Sequence, residues 1–154
     1  MSKKIVITGG LGYIGTELCK IYSGVSWNNE IIVIDNRFIS ERVNQLRNWN
    51  MQFVHGDILD KELIKKYCND ADIVHHLAGI TDVPRVKSES NIENDKKITV
   101  VAEEGTQNIL DVISDKCKII LPSTHVVYEG VEKVKNDILE NEETKPKLAY
   151  ATSK

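Results

Sequence analysis

Five short apolar runs are spread along this chain, with longer stretches between them in which apolar residues recur every three or four positions. The runs are KIVIT (4–8), EIIVID (30–35), MQFVHG (51–56), ADIVHHLAG (71–79) and CKIILPS (117–123). They are rich in β-branched residues and almost continuously apolar, the pattern of strands buried on both faces of a parallel sheet. After Gly12, the residues Ile14, Leu18 and Ile21 fall at helical spacing. Asp60 is placed to N-cap a short helix that buries Leu63, Ile64 and Tyr67. The longest helical pattern covers 95–114, with Ile98, Val101, Ala102, Gly105, Ile109, Val112 and Ile113 on one stripe. Strand–helix alternation of this kind predicts right-handed crossovers and an α/β, doubly wound parallel sheet. The segment 129–148 breaks the pattern. It is rich in Glu, Lys and Asn, carries Pro146, and suits a long polar loop that covers a site.

Composition narrows the class. A chain of 154 residues fits one domain with a real core. Its net charge of −3 gives no basic field to recruit nucleic acid or an anionic membrane surface, so neither is an expected partner. Lys3 and Lys4 are followed only by IVI before Thr8, too short for a signal peptide, and no apolar run approaches the ~20 residues of a membrane span. The expected location is cytoplasmic. Cys19, Cys68 and Cys117 are odd in number, share no metal-ligand spacing and lie in apolar stretches, so they read as buried free thiols and no metal is expected. His75 and His76 sit in the fourth run with no metal partners; alternation along a strand predicts that one packs and the other points outward.

The candidate chemistry begins at TGGLGYIG, where Gly9, Gly12 and Gly15 follow the first strand and enter the first helix. A phosphate-binding turn needs glycine for a tight bend, for close backbone approach and for helix-on-strand packing, and the helix then offers free N–H groups to a pyrophosphate. Asp35 ends the second strand, 20 residues beyond Gly15, where a carboxylate accepts hydrogen bonds from ribose hydroxyls and repels a 2′-phosphate. NAD is therefore favoured over NADP, with the neighbouring Arg37 as the one residue suited to a 2′-phosphate.

Seven segments in register resemble the extended short-chain dehydrogenase/reductase family, the NAD-dependent epimerase/dehydratase group acting on sugar nucleotides. They are TGGLGYIG (8–15), VIDN (33–36), GDILD (56–60), HHLAG (75–79), GTQNIL (105–110), PSTHVVYEG (122–130) and PKLAYATSK (146–154). The resemblance implies a Rossmann-like sheet of order 3-2-1-4-5, an NAD cofactor and a nucleotide-sugar substrate; a homodimer is the expected assembly. It implies cofactor contacts from Gly9, Gly12, Tyr13, Ile14 and Gly15 at the turn, Asp35 and Asn36 at the ribose, and Asp57 and Ile58 beside the adenine. Leu77, Ala78 and Gly79 would pass the ribose and nicotinamide half. Tyr150 and Lys154 match the family's Y-x-x-x-K pair, with Tyr as acid/base and Lys holding ribose and Tyr. Thr124 matches the hydroxyl that binds the reacting oxygen.

The chemistry agrees with that assignment. A free phenol ionises near pH 10 and is a poor base at neutrality, and an adjacent ammonium together with an oxidised nicotinamide favours the phenolate. Tyr150 could then take a hydroxyl proton while hydride leaves the same carbon. Three positions depart from the family. Ala102 stands where an Asn is common, Glu129 where Gly follows VY, and STHVV lacks the acidic pair of the 4,6-dehydratases, which argues against dehydration. Five candidate strands and only the opening residues of the catalytic helix are present. The resemblance therefore implies that 1–154 is an incomplete NAD-binding domain without its substrate-binding part, silent and prone to self-association alone. Besides the epimerase, two functions stay open: a reductase of a smaller carbonyl substrate, and a non-catalytic NAD-binding sensor or scaffold.

Overall fold

The computed structural model describes residues 2–25, 28–81, 91–131 and 137–154. Residues 132–136 of the polar loop read from the sequence lie outside the described residues. The elements, in chain order, are β1 (Lys4–Thr8), α1 (Tyr13–Val25), β2 (Glu30–Asp35), α2 (Ser40–Asn48), β3 (Gln52–His55), α3 (Lys61–Cys68), β4 (Ile73–His76), α4 (Ile92–Leu110), β5 (Lys118–Ile120), a 3-10 turn (His125–Tyr128) and α5 (Ala149–Thr152).

The five strands are parallel and ordered β3-β2-β1-β4-β5, the doubly wound order expected from the alternation and the resemblance. Both faces of the central strands β2, β1 and β4 are covered, which is why they are almost continuously apolar. Contrary to the expectation for the third and fifth runs, the edge strands are less buried, with only Val54 of β3 and no residue of β5 fully buried. Ile5, Ile7, Ile31 and Val33 face Leu11, Cys19, Val43 and Leu46, the side covered by α1 and α2. Val6, Ile32, Ile34 and Val74 face Ile58, Ile64, Cys68 and Ile109, the side covered by α3 and α4. The Asp60 carboxylate accepts from Leu63 N–H at 3.0 Å and caps α3 as its position predicts.

Four local expectations need correction. The buried line of α1 is Gly15 and Cys19, with Leu18 and Tyr22 partly buried, whereas Ile14 and Ile21 are more than half exposed. Gly15 turns that face inward because its missing side chain lets the helix sit on the glycine turn. The second difference is α2, which the apolar pattern does not announce because only Val43 and Leu46 of its nine residues are buried. The long helix spans Ile92–Leu110, with Asn91 accepting from Glu93 N–H; Val112 and Ile113 continue the stripe from outside the helix. Finally, both histidines are buried, because a strand covered on both faces has no outward side. His75 Nε2 lies 2.7 Å from Tyr22 Oη on the α1 side, and His76 faces Thr106 on the α4 side.

The cysteines are free, as their spacing implies. Cys19 and Cys68 are buried, and burial pushes each thiol up to about 12, so neither is a nucleophile at neutral pH. Cys117 is half-buried.

Candidate functional site

In the order 3-2-1-4-5 the chain reverses its direction of winding between β1 and β4, and a crevice opens there beyond the carboxyl ends of the strands. Every residue singled out in the sequence lies at this end of the sheet. The glycine turn leaves β1, Asp35 leaves β2, Asp57 leaves β3, Leu77–Gly79 leave β4 and Thr124 follows β5.

The turn is held by three bonds. Gly9 N–H donates to Ile34 O at 2.8 Å, Gly12 N–H to Gly9 O at 3.0 Å, and Thr16 N–H to Gly12 O at 3.0 Å. Thr16 makes the first bond of α1, so the N–H groups of Tyr13, Ile14 and Gly15 precede the ladder and are open to an anion. The side chains of Tyr13 and Ile14 are exposed and stay clear of that spot. Gly9 has φ +69°, and a Cβ there would stand 2.6 Å from Ala78 N. The turn thus lies flush against the exit of β4, where Leu77 N–H donates to Thr8 O and Ala78 N–H to Thr8 Oγ1.

Asp35 is 5% exposed and its carboxylate is occupied. Oδ2 accepts from Leu11 N–H at 2.9 Å; Oδ1 accepts from Arg37 N–H at 3.0 Å and Arg37 Nε at 3.2 Å. The carboxylate therefore fixes the glycine turn to β2 as well as offering itself to a ligand. The Arg37 side chain, 56% exposed, is the partner free to move away. Asn36 Nδ2 donates to Asp57 Oδ2 at 2.9 Å. The Ile58 side chain is buried under α4 against Gly105, and its carbonyl accepts from Asn108 Nδ2 at 3.0 Å.

The acid/base candidates come from two segments. Thr124 Oγ1 accepts from Val126 N–H at 3.3 Å and caps the 3-10 turn. Tyr150 lies in α5, which packs on α4. Lys154 Nζ sits 5.7 Å from the centre of the Tyr150 ring, and a Cβ on Gly79 would be 3.8 Å from it. Ser123 Oγ is 3.5 Å from Lys154 O, which sets the end of α5 beside the exit of β5. Partial burial lowers the pKa of the Lys154 ammonium. A small cleft here is lined by His76, Gly79, Ala102, Thr106 and Lys154, so the Asn-to-Ala departure at Ala102 leaves one wall of it apolar.

Residues 6–154 match the 3-beta hydroxysteroid dehydrogenase/isomerase family. The chain belongs to that family. Its relatives include sugar-nucleotide epimerases and dehydratases of the kind that the seven segments resemble. It is 33% identical over 144 residues to the CDP-paratose 2-epimerase of Salmonella typhi, covering 86% of this chain and 40% of that protein. The dTDP-glucose 4,6-dehydratase DesIV of Streptomyces venezuelae, solved with NAD and TYD bound, superposes with a TM-score of 0.77 at 26% identity, over 97% of this chain and 48% of that one. The UDP-glucose 4-epimerase of Bifidobacterium longum, in complex with NAD+ and UDP, gives 0.77 at 25% identity over 97% and 45%. The chain spans less than half the length of each of these relatives.

In this member of the 3-beta hydroxysteroid dehydrogenase/isomerase family, a buried network ties the site together that the sequence reading missed. His76 Nδ1 lies 2.8 Å from Thr8 Oγ1, and His76 Nε2 lies 3.1 Å from Thr106 Oγ1. It joins β1, β4 and α4 behind the Leu77–Gly79 strip. Thr106 belongs to the GT of GTQNIL, so the motif was visible while its partner across the sheet was not. Burial, helped by the Lys154 charge, pushes the His76 imidazole down to about 4. The folded protein holds the neutral ring, while the unfolded chain takes a proton near pH 6.5. Stability from this group is therefore full above about pH 6.5 and declines as pH falls toward 4, by about 3 kcal/mol. Urea unfolding at a series of pH values should show that loss in the wild type and a shallower one in His76→Gln; parallel curves for the two proteins would contradict it.

Among the described residues, no helix is long and apolar enough to cross a membrane.

Proposed function

We propose that residues 1–154 form the NAD-binding and acid/base half of an NAD-dependent epimerase acting on a nucleotide sugar. The observation that carries this reading is the convergence at Gly79: the Lys154 ammonium lies beside it and near the Tyr150 ring, on the same β4 exit that the glycine turn presses against. The residues present fit the dinucleotide. Gly9 lets the turn lie flush against the exit of β4, the first N–H groups of α1 are open to a pyrophosphate, and Asp35 is available to a ribose once the Arg37 side chain swings away.

When bound, NAD supplies the hydride acceptor. The protein's part is proton handling and placement. Tyr150 takes the proton of the substrate hydroxyl and gives it back after the sugar has presented its other face. The Thr124 oxygen already accepts Val126 N–H, which leaves its own O–H to donate to the reacting oxygen. The Lys154 ammonium, partly withdrawn from water, acts on the phenol and the ribose more strongly than an exposed one could. The absence of an acidic pair after Thr124, where His125 and Val126 stand, favours epimerisation over dehydration. The NAD- and UDP-bound epimerase and the NAD-bound dehydratase among its relatives support the choice of cofactor and substrate class.

Calorimetric titration of the full polypeptide that carries this sequence tests the cofactor. NAD should bind more tightly than NADP, because the buried Asp35 carboxylate repels a 2′-phosphate. Equal affinities, or tighter NADP binding with Arg37 as its partner, would reject the reading.

A further inference from the structure

Glu129 enters the sequence as a departure from the family, a charged residue where Gly follows VY. In the fold its carboxylate has a definite task. Oε1 accepts from Lys147 N–H at 2.6 Å and from Leu148 N–H at 2.6 Å, across 18 and 19 residues. We propose that Glu129 is the positioning residue for Tyr150, setting the start of α5 relative to Thr124; the proposal rests on the acid/base reading of Tyr150.

The physical need is plain. The first backbone N–H groups of α5 have no acceptor within the helix, so its start depends on partners from elsewhere. Leu148 is its N-cap, and that apolar side chain supplies no cap bond. Glu129 fixes the same end from a distance, accepting the N–H groups of the N-cap residue Leu148 and of Lys147 just before it. A carboxylate acceptor makes the stronger class of hydrogen bond. The Leu148 peptide is then held on both sides. Its N–H goes to Glu129, and its carbonyl accepts from Thr152 N–H at 3.0 Å and Thr152 Oγ1 at 3.1 Å. Tyr150 lies inside that loop of bonds.

Two further backbone bonds join the same two segments. Lys145 N–H donates to Val127 O and Gly130 N–H to Lys145 O, each at 2.8 Å. Residues 145–148 are thereby zipped to 127–130, the segment that Thr124 caps at its other end. The segments that carry Thr124 and Tyr150, which act on the same substrate oxygen, are thus joined through Glu129 and these backbone bonds.

The test uses the full polypeptide loaded with NAD, with Glu129→Ala, Glu129→Gln and Tyr150→Phe compared in turnover and in amide exchange. Glu129→Ala removes the acceptor and should lower kcat by about 10–10²-fold, the effect of a misplaced reacting group, with KM and NAD affinity unchanged. Glu129→Gln keeps a carbonyl oxygen at the same reach and should recover most of that loss. The amides of Lys147 and Leu148 should exchange faster in Glu129→Ala than in wild type or Glu129→Gln, a readout that does not depend on knowing the substrate. Unchanged exchange in Glu129→Ala would overturn the tether. Wild-type kcat in Glu129→Ala beside an inactive Tyr150→Phe, or a Gln variant as impaired as the Ala variant, would overturn the positioning role alone. Full turnover in Tyr150→Phe would instead remove the reading on which it rests.

Discussion

Tyr150→Phe should abolish turnover of the full polypeptide while leaving NAD affinity nearly unchanged. The substitution removes one oxygen and keeps the ring, so the packing of α5 on α4 and the Lys154 contact to the ring persist. What disappears is the group that takes and returns the substrate proton, and losing a positioned general acid/base costs about 10²–10⁴-fold in rate. In the proposed reading the cofactor is held elsewhere, by the glycine turn after β1 and Asp35 after β2, so its binding should survive. Thr124→Ala should show a smaller loss of the same kind, because a hydrogen-bond donor to the reacting oxygen is removed while the acid/base remains. Steady-state rates on a panel of nucleotide sugars decide this, and a Phe variant within a few-fold of wild type would take Tyr150 out of the mechanism.

Gly9→Ala should destabilise the fold itself by about 2–5 kcal/mol. Two costs act at one atom. A left-handed φ of +69° penalises any side chain by about 1–2 kcal/mol. The new Cβ would also stand 2.6 Å from Ala78 N and 2.7 Å from Ala78 Cα, both backbone atoms that no side-chain rotation relieves, and overpacking of that kind costs about 1–3 kcal/mol. Gly24→Ala is the matched control. Gly24 lies within α1 with open space around it, so the same substitution should stabilise by about 0.5–1 kcal/mol. Denaturant unfolding of the two variants should therefore move in opposite directions. A Gly9→Ala protein as stable as wild type would mean that the turn does not press on β4 as described.

The parts of this molecule that were legible in the sequence are those fixed by short-range spacing. Strands buried in a parallel sheet are almost continuously apolar, so the five runs could be read, while their order came from the resemblance. A turn that presses backbone on backbone must use glycine, so Gly9 and Gly15 stood out. Several of the misses come from contact across long separations. Whether His75 and His76 face water depends on which helices cover β4. The burial of Ile58 is likewise decided by Gly105 and Asn108, 47 and 50 residues further on. Helix α2 shows too few buried positions to announce itself, and the inward line of α1 is set by Gly15 resting on the turn, which outweighs the hydrophobicity of Ile14 and Ile21. Glu129 looked like a lost glycine because its two partners are backbone N–H groups, which carry no residue-type signature.

The central claim is that this fold brings a nucleotide sugar, a dinucleotide and Tyr150 together for hydride removal. Its most direct test is rapid mixing of the NAD-loaded full polypeptide with UDP-, CDP- and dTDP-sugars, following the near-ultraviolet absorbance of reduced nicotinamide. At least one sugar should produce a burst of that absorbance in the wild type, and the same sugar should produce none in Tyr150→Phe. A tightly NAD-bound wild-type protein that gives no burst with any nucleotide sugar, or a burst that survives unchanged in Tyr150→Phe, would contradict the account.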